Sequence, residues 1–161
     1  MVIVDTTVWI DYLRGVNTPE VAWLDRETTR QRLGLLDLMA CEILQGLTSE
    51  DDATRVFRQL RRFEILETGG VDLAVAAARN YRALRKRGRT VRKTIDCVIA
   101  TYCLRHRHAL LHADRDFDPF EDFLGLQVVH PAEPERPDSQ IGKLHSLRAA
   151  LKGCTTSAAE G

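Results

Sequence analysis

Short apolar runs, each followed by an acid, alternate with helix-period segments over the first 130 residues, and this pattern constrains the fold more than any other feature. Asp5 follows Val2-Ile3-Val4, and Glu42 comes shortly after the stretch Leu33 to Leu38. Asp96 opens the apolar segment TIDCVIATYCL (94–104), and Asp114 follows Ala109-Leu110-Leu111-His112-Ala113. Short β-branched or fully apolar runs suit strands buried on both faces. Their repeated alternation with helices through short connections predicts an α/β domain, a mainly parallel sheet of about five strands with helices on both faces. In such a sheet the segments leaving the carboxyl ends of the strands converge on one crevice. Crowded carboxylates repel one another unless a positive charge joins them, and a divalent cation commonly does so. Metal-dependent phosphodiester chemistry is the resulting expectation.

The expected strands are 2–4, 32–38, 63–66, 109–112 and 127–130. Helices are expected at about 7–14, closed by Gly15; from Thr18-Pro19 to about Asp25; around Cys41, Ile43, Leu44 and Leu47; and over 49–62 with Ser49 as N-cap. A longer helix over 71–87 is expected to bury Val71, Ala74, Ala77, Ala78, Tyr81 and Leu84, and the helix over 95–107 is assigned Thr94 as N-cap. The chain has 161 residues, which suits one domain. Pro131, Pro134 and Pro137 mark its end, so the domain is placed at 1–130. Residues 131–161 are read as a tail outside the core. It holds a short amphipathic helix built on Ile141, Leu144, Leu147 and Leu151, followed by a disordered end.

Net charge is zero, which argues against an indiscriminate nucleic-acid binder. Its distribution is uneven: twelve of the 23 Lys and Arg lie in two acid-free stretches, Arg55 to Arg62 and Arg79 to Lys93. Within the second, Arg79, Arg82 and Lys86 fall at helical spacing on one face and are the candidate RNA-backbone contacts; a plain solvated face is the competing reading. The four cysteines (Cys41, Cys97, Cys103, Cys154) show no C-x-x-C spacing. Three sit in apolar helical settings, which predicts reduced core thiols. No run approaches the roughly 20 apolar residues of a membrane span, and MVIVDTT lacks the features of a signal peptide. No membrane association and a cytoplasmic location are expected.

Each acid also has a purely structural reading. Asp5 can cap the first helix, and Asp96 lies in a first helical turn where negative charge is favourable. Asp114 and Asp116, in ADRDFDPF, resemble turn residues, and Glu42 can face water. The structural readings fare worse jointly, because all four main positions are predicted to meet at one edge of one sheet. His106, His108 and His112 are read as a surface pair plus one residue at the edge of the site, and Arg115 as a local salt-bridge partner. The chain has no G-x-S-x-G elbow and no Walker-type loop. Asp5-Thr6-Thr7 lacks the second Asp of a haloacid-dehalogenase-type phosphatase.

The strings VDTTVWIDYLRG (4–15), CEILQG (41–46), TIDCVIA (94–100) and LLHADRDFD (110–118) together resemble a PIN domain of the VapC toxin-ribonuclease type, over about residues 2–130. The resemblance implies a PIN-like, Rossmann-like fold and hydrolysis of RNA phosphodiester bonds with Mg²⁺ or Mn²⁺. It carries the acidic catalytic and metal-binding positions onto Asp5, Glu42, Asp96 and Asp114, with Asp116 as a variable additional acid. Thr6 and Thr94 match hydroxyl residues that accompany the first and third acids. It also implies a VapB-type antitoxin as partner, and a homodimer is expected. Trp9, Tyr12, Leu13 and Trp23 are the candidate antitoxin groove, since they present more apolar surface than two short helices readily hide. The alternative function is a PIN-like binding module without catalysis.

Overall fold

The computed structural model describes residues 1–132. The expected tail helix at 141–151 and the rest of 133–161 lie outside the described residues. The elements run β1 (Val2–Val4), α1 (Thr6–Arg14), α2 (Pro19–Glu27), β2 (Leu33–Leu36), α3 (Asp37–Gln45), α4 (Glu50–Leu60) and β3 (Glu64–Leu66). They continue with α5 (Gly70–Arg85), α6 (Thr94–His106), β4 (Ala109–Leu111), a single 3-10 turn (Arg115–Phe117) and α7 (Asp118–Leu124). Among the described residues, no helix is long and apolar enough to cross a membrane.

The four strands form one sheet in the order β3-β2-β1-β4. Every pairing is parallel, with Val2 opposite both Leu33 and Ala109, and Leu35 opposite Ile65. The path from β1 through β2 to β3 steps outward in one direction, and the α5–α6 crossover then returns past both to β4. With right-handed crossovers this reversal places α1–α4 on one face and α5–α6 on the other. The reversal falls between β1 and β4, whose carboxyl ends lead into Asp5 and, two residues beyond His112, Asp114.

The expected fifth strand is reduced to one parallel bridge, Leu110 with Val128. The Leu110 N–H donates to Gln127 O at 2.8 Å and the Val129 N–H donates to Leu110 O at 2.9 Å. Pro131 then has no N–H with which to extend the ladder.

All of β1 is buried, and Ile3, Val4, Leu35, Leu36, Leu110 and Leu111 have no exposed surface. Each such side chain contributes about 1.5–3 kcal/mol relative to an exposed one. Gly34 is required by close approach of β3: a Cβ there would meet the Glu64 carbonyl oxygen at 3.0 Å. Helix α1 ends at Gly15, which takes φ 70° and bonds back to the carbonyls of Asp11 and Tyr12.

Three sequence expectations are corrected. Helix α5 buries Leu73, Ala77 and Leu84, whereas Val71 is 78% exposed and Ala74 and Ala78 face outward. The stripe at 73, 77, 80 and 84 prevails because α5 packs on α6 there, with the Asn80 amide donating to the Thr101 hydroxyl at 2.9 Å. Cys41 is exposed on the outer side of α3, while Cys97 and Cys103 are buried thiols as expected. Finally, the α1 aromatics are hidden, though not by α1 and α2 alone. Trp9, Tyr12 and Leu13 are buried, Trp9 lying tilted against Phe63 at 4.6 Å and edge-on at 5.9 Å to Tyr12, and Trp23 is half-buried. The segment after α4 supplies the cover that a reading of α1 and α2 alone omitted. A cleft of about 200 Å³ remains beside them, lined by Trp9, Tyr12, Leu13, Thr28, Gln59, Leu60, Arg62 and Phe63.

Candidate active site

Asp5 is the first residue past β1, and its own N–H continues the sheet ladder to Leu111 O at 2.9 Å. It caps α1: the carboxylate accepts the Thr7 N–H at 3.1 Å and also the Thr7 hydroxyl. Only 4% of Asp5 is exposed. The capping reading is therefore correct for this residue, and it leaves the second carboxylate oxygen for other work. The hydroxyl on Asp5 belongs to Thr7, where the sequence pointed to Thr6. Thr6 instead donates to Glu42 Oε2 at 2.7 Å, tying the start of α1 to α3.

Asp96 is the third residue of α6 and is also 4% exposed. Its Oδ2 is sealed from solvent with no hydrogen-bond partner. Burial pushes its carboxyl up to about 7, reinforced by the charges of Asp5, Asp114 and Asp116 and opposed by Lys93. Asp114 caps the 3-10 turn by accepting the Asp116 N–H at 3.0 Å. That bond holds its carboxyl below the ordinary value, assisted by Lys93 and Arg92. Carboxylate oxygens of Asp96, Asp114 and Asp116 lie within 4.8 Å of one another. Asp5 borders this trio closely enough for its charge to bear on Asp96, whereas Glu42 stands apart, held by Thr6.

Two cations touch the acids, and neither was singled out within the basic run. Asp116 accepts from Arg92 three times, from the backbone N–H at 3.3 Å and from Nε to both carboxylate oxygens at 3.1 and 3.2 Å. Lys93 Nζ reaches Asp114 Oδ2 at 3.5 Å. Asp96 foremost, with Asp114 and Asp5, holds the Lys93 ammonium above its usual value. The missed signal was position: these residues stand three and four places before Asp96, where the loop from α5 enters α6. Lys93, not Thr94, is the N-cap of α6, and it makes no side-chain capping bond; Thr94 is the exposed first helical residue.

Other expected residues fall farther out. Arg79, Arg82 and Lys86 are exposed along α5 and make no ion pair among the described residues. Arg115 likewise has no ion-pair partner there, because the adjacent acids are engaged by Arg92 and Lys93. His112 packs on Phe117 at 4.9 Å with both ring nitrogens sealed and unpartnered, and burial lowers its pKa. His106 and His108 stack on each other at 5.8 Å, with Tyr102 tilted against His106 at 4.3 Å, near the start of β4 and so at the other end of that strand.

Three or four carboxylates at a topological switch point, one with an orphaned buried oxygen, form a set of hard oxygen donors suited to a divalent cation of the Mg²⁺ or Mn²⁺ kind. A PIN-domain family model matches residues 2–121, and the chain belongs to the PIN-domain family. Its relatives place it beside the VapC proteins of that family. It is 31% identical over 131 residues to VapC ribonuclease Mb1587 of Mycobacterium bovis, a match spanning 80% of this chain and 98% of the relative. Ribonuclease VapC11 of Mycobacterium tuberculosis matches to the same extent. The fold is shared with VapBC2 from Rickettsia felis, solved bound to a promoter DNA fragment (TM-score 0.65, 13% identity, 80% of this chain and 98% of that one). It is shared also with FitAcB from Neisseria gonorrhoeae (TM-score 0.64, 21% identity, 81% and 98%).

Proposed function

We propose that this chain is a metal-dependent endoribonuclease that hydrolyses RNA phosphodiester bonds, the toxin of a VapBC-type pair. The observation that carries the reading is the Asp96 carboxylate: buried, one oxygen unpartnered, and grouped with Asp114 and Asp116. A stably folded protein without a cation to receive it has little reason to leave that oxygen unsatisfied.

Asp96 and Asp114, with Asp5 at the border, are the residues to hold Mg²⁺ or Mn²⁺. Asp116 is largely committed to Arg92 and contributes charge more than a free ligand oxygen. A divalent cation there supplies the Lewis acidity that activates water and offsets charge on the departing oxygen. The chain's own residues do the rest. Thr7 fixes the Asp5 carboxylate, Thr6 fixes Glu42 at the rim where it can orient water, and the apolar wall from β1 and β4 limits solvent beneath the acids.

The relatives' names support RNA as substrate, and the solved toxin–antitoxin complexes of this fold support a VapB-type antitoxin as partner. The cleft beside Trp9, with Trp23 nearby on α2, is the surface proposed for it, and Val71 and Val75 on α5 offer apolar surface to a second copy. A cytoplasmic site of action follows from an RNA substrate.

Incubating the purified chain with single-stranded RNA in Mg²⁺, in Mn²⁺ and in EDTA tests the catalytic reading. Internal cuts with either metal and none in EDTA are expected. Cutting that persists in EDTA removes the metal. Binding without cutting under all three conditions leaves a binding module in place of an enzyme.

A further inference from the structure

A mouth of carboxylates repels the phosphodiester it is proposed to cut, so something cationic must hold the substrate there. We propose that Lys93 is that group, a phosphate-binding residue beside the acids, and that Arg92 is the positioning residue that places it by clamping the loop to Asp116. The inference rests on the ribonuclease reading and names a residue that holds the substrate at the same site.

Three features of the loop between α5 and α6 carry it. Asp116 is 8% exposed and takes both the backbone N–H and the guanidinium of residue 92, so that point of the chain is fixed rather than merely charge-paired. Lys93 follows directly and is held much more loosely. Its ammonium makes a single contact at 3.5 Å, at the outer limit of a hydrogen bond, and its side chain is 56% exposed. An ammonium carries three donors, so two remain for a ligand arriving from solvent.

The third feature is a local rule broken. Lys93 occupies the N-cap of a 13-residue helix, where Ser, Thr, Asp or Asn would satisfy an orphan N–H and lysine satisfies none. Its charge also sits at the positive end of the helix dipole. Departures of this kind from local preference concentrate at functional sites.

Capping and phosphate binding predict opposite signs, which makes the test clean. Binding of a fluorescently labelled single-stranded oligoribonucleotide is measured in EDTA across a salt series, using the full chain and its Lys93→Gln, Lys93→Ser, Lys93→Arg and Arg92→Lys variants. Losing one single-strand phosphate contact lowers the slope of log affinity against log salt by about 0.7, which is roughly a fivefold loss of affinity near 0.1 M salt. Lys93→Gln should show both effects and Lys93→Arg should largely restore them. Lys93→Ser should bind RNA as weakly as Lys93→Gln while melting at a higher temperature than Lys93→Gln, since both lose the charge and only serine caps the helix. Arg92→Lys, keeping the charge without the fork, should lose affinity with the slope unchanged.

Mn²⁺ binding by calorimetry should be as tight or tighter in Lys93→Gln. A fall in Mn²⁺ affinity along with RNA affinity would mean that Lys93 only shapes the carboxylates, and would overturn the proposal. Wild-type affinity and slope in Lys93→Gln, in a protein that binds and cuts RNA, would overturn it and leave the nuclease reading standing. A wild-type chain that neither binds nor cuts RNA would remove both.

Discussion

Replacing Asp96 by asparagine should make the metal-free protein more stable, and the size of the gain should depend on pH in a defined way. The side chain is 4% exposed, and its carboxyl titrates near 7 in the fold against 3.8 in the unfolded chain. A carboxyl raised by folding takes up protons as the chain folds, so its ionisation opposes folding. The penalty begins as pH passes the unfolded value and is complete above the folded one. About three units at 1.36 kcal/mol each set an upper limit of about 4 kcal/mol. Screening by water at the mouth of the site brings a realistic figure to about 2 kcal/mol. For a chain of this length that corresponds to roughly 4–8 °C in Tm. Asparagine keeps the shape, and its amide faces carboxylates able to accept from it. Thermal unfolding of both proteins in EDTA should give the full difference at pH 8 and a smaller one at pH 5, where most of the native carboxyl is already protonated. Mn²⁺ should raise the Tm of wild type and move that of Asp96→Asn little. A loss of stability at pH 8, or a gain at pH 5 as large as at pH 8, would refute the reasoning.

Asp5→Ala removes the α1 cap and should cost about 1 kcal/mol in urea unfolding, whereas Asp5→Asn, which keeps an acceptor for the Thr7 N–H, should cost less while still depressing cleavage. Thr6→Val cuts the tie to Glu42 and should cost about 1 kcal/mol. Changing Arg79, Arg82 and Lys86 together to Gln should lower the RNA-binding salt slope by about 2 if all three touch phosphate; an unchanged slope assigns them to solvation. A chain ending at Ala132 should melt within a few degrees of the full protein by calorimetry, since terminal segments outside a core contribute little.

The alternation of apolar runs and helical periods was readable because buried parallel strands need little but apolar residues, and the acids stood out by following them. Caps written in side chains were equally plain: Ser49 and Thr18 cap α4 and α2 as their sequences indicate. Helix α7 was not anticipated, although Pro119 at its start, buried Phe120 and Gly125 at its end all mark it. A seven-residue helix carries too few turns for periodicity to show. The outward face of α5 was misjudged because Val71, Ala74 and Ala78 are as apolar as the residues that do pack, and only the position of α6 decides between them. The pairing of Arg92 with Asp116 spans 24 residues, and no local pattern announces a contact of that range.

The central place of β1 has a consequence for how the chain is assembled. One edge of β1 is covered by β2 within about thirty residues, but the other must wait for β4, about a hundred residues later. Until then Val2-Ile3-Val4 presents an open, apolar strand edge of the kind that recruits other chains. Asp96 and Asp114 are also absent from the site over that interval, so the acidic crevice comes into being only when the sheet closes. A nascent chain is therefore exposed to aggregation before its acidic crevice exists, and agents that capture β1 early would keep the site from forming without touching it.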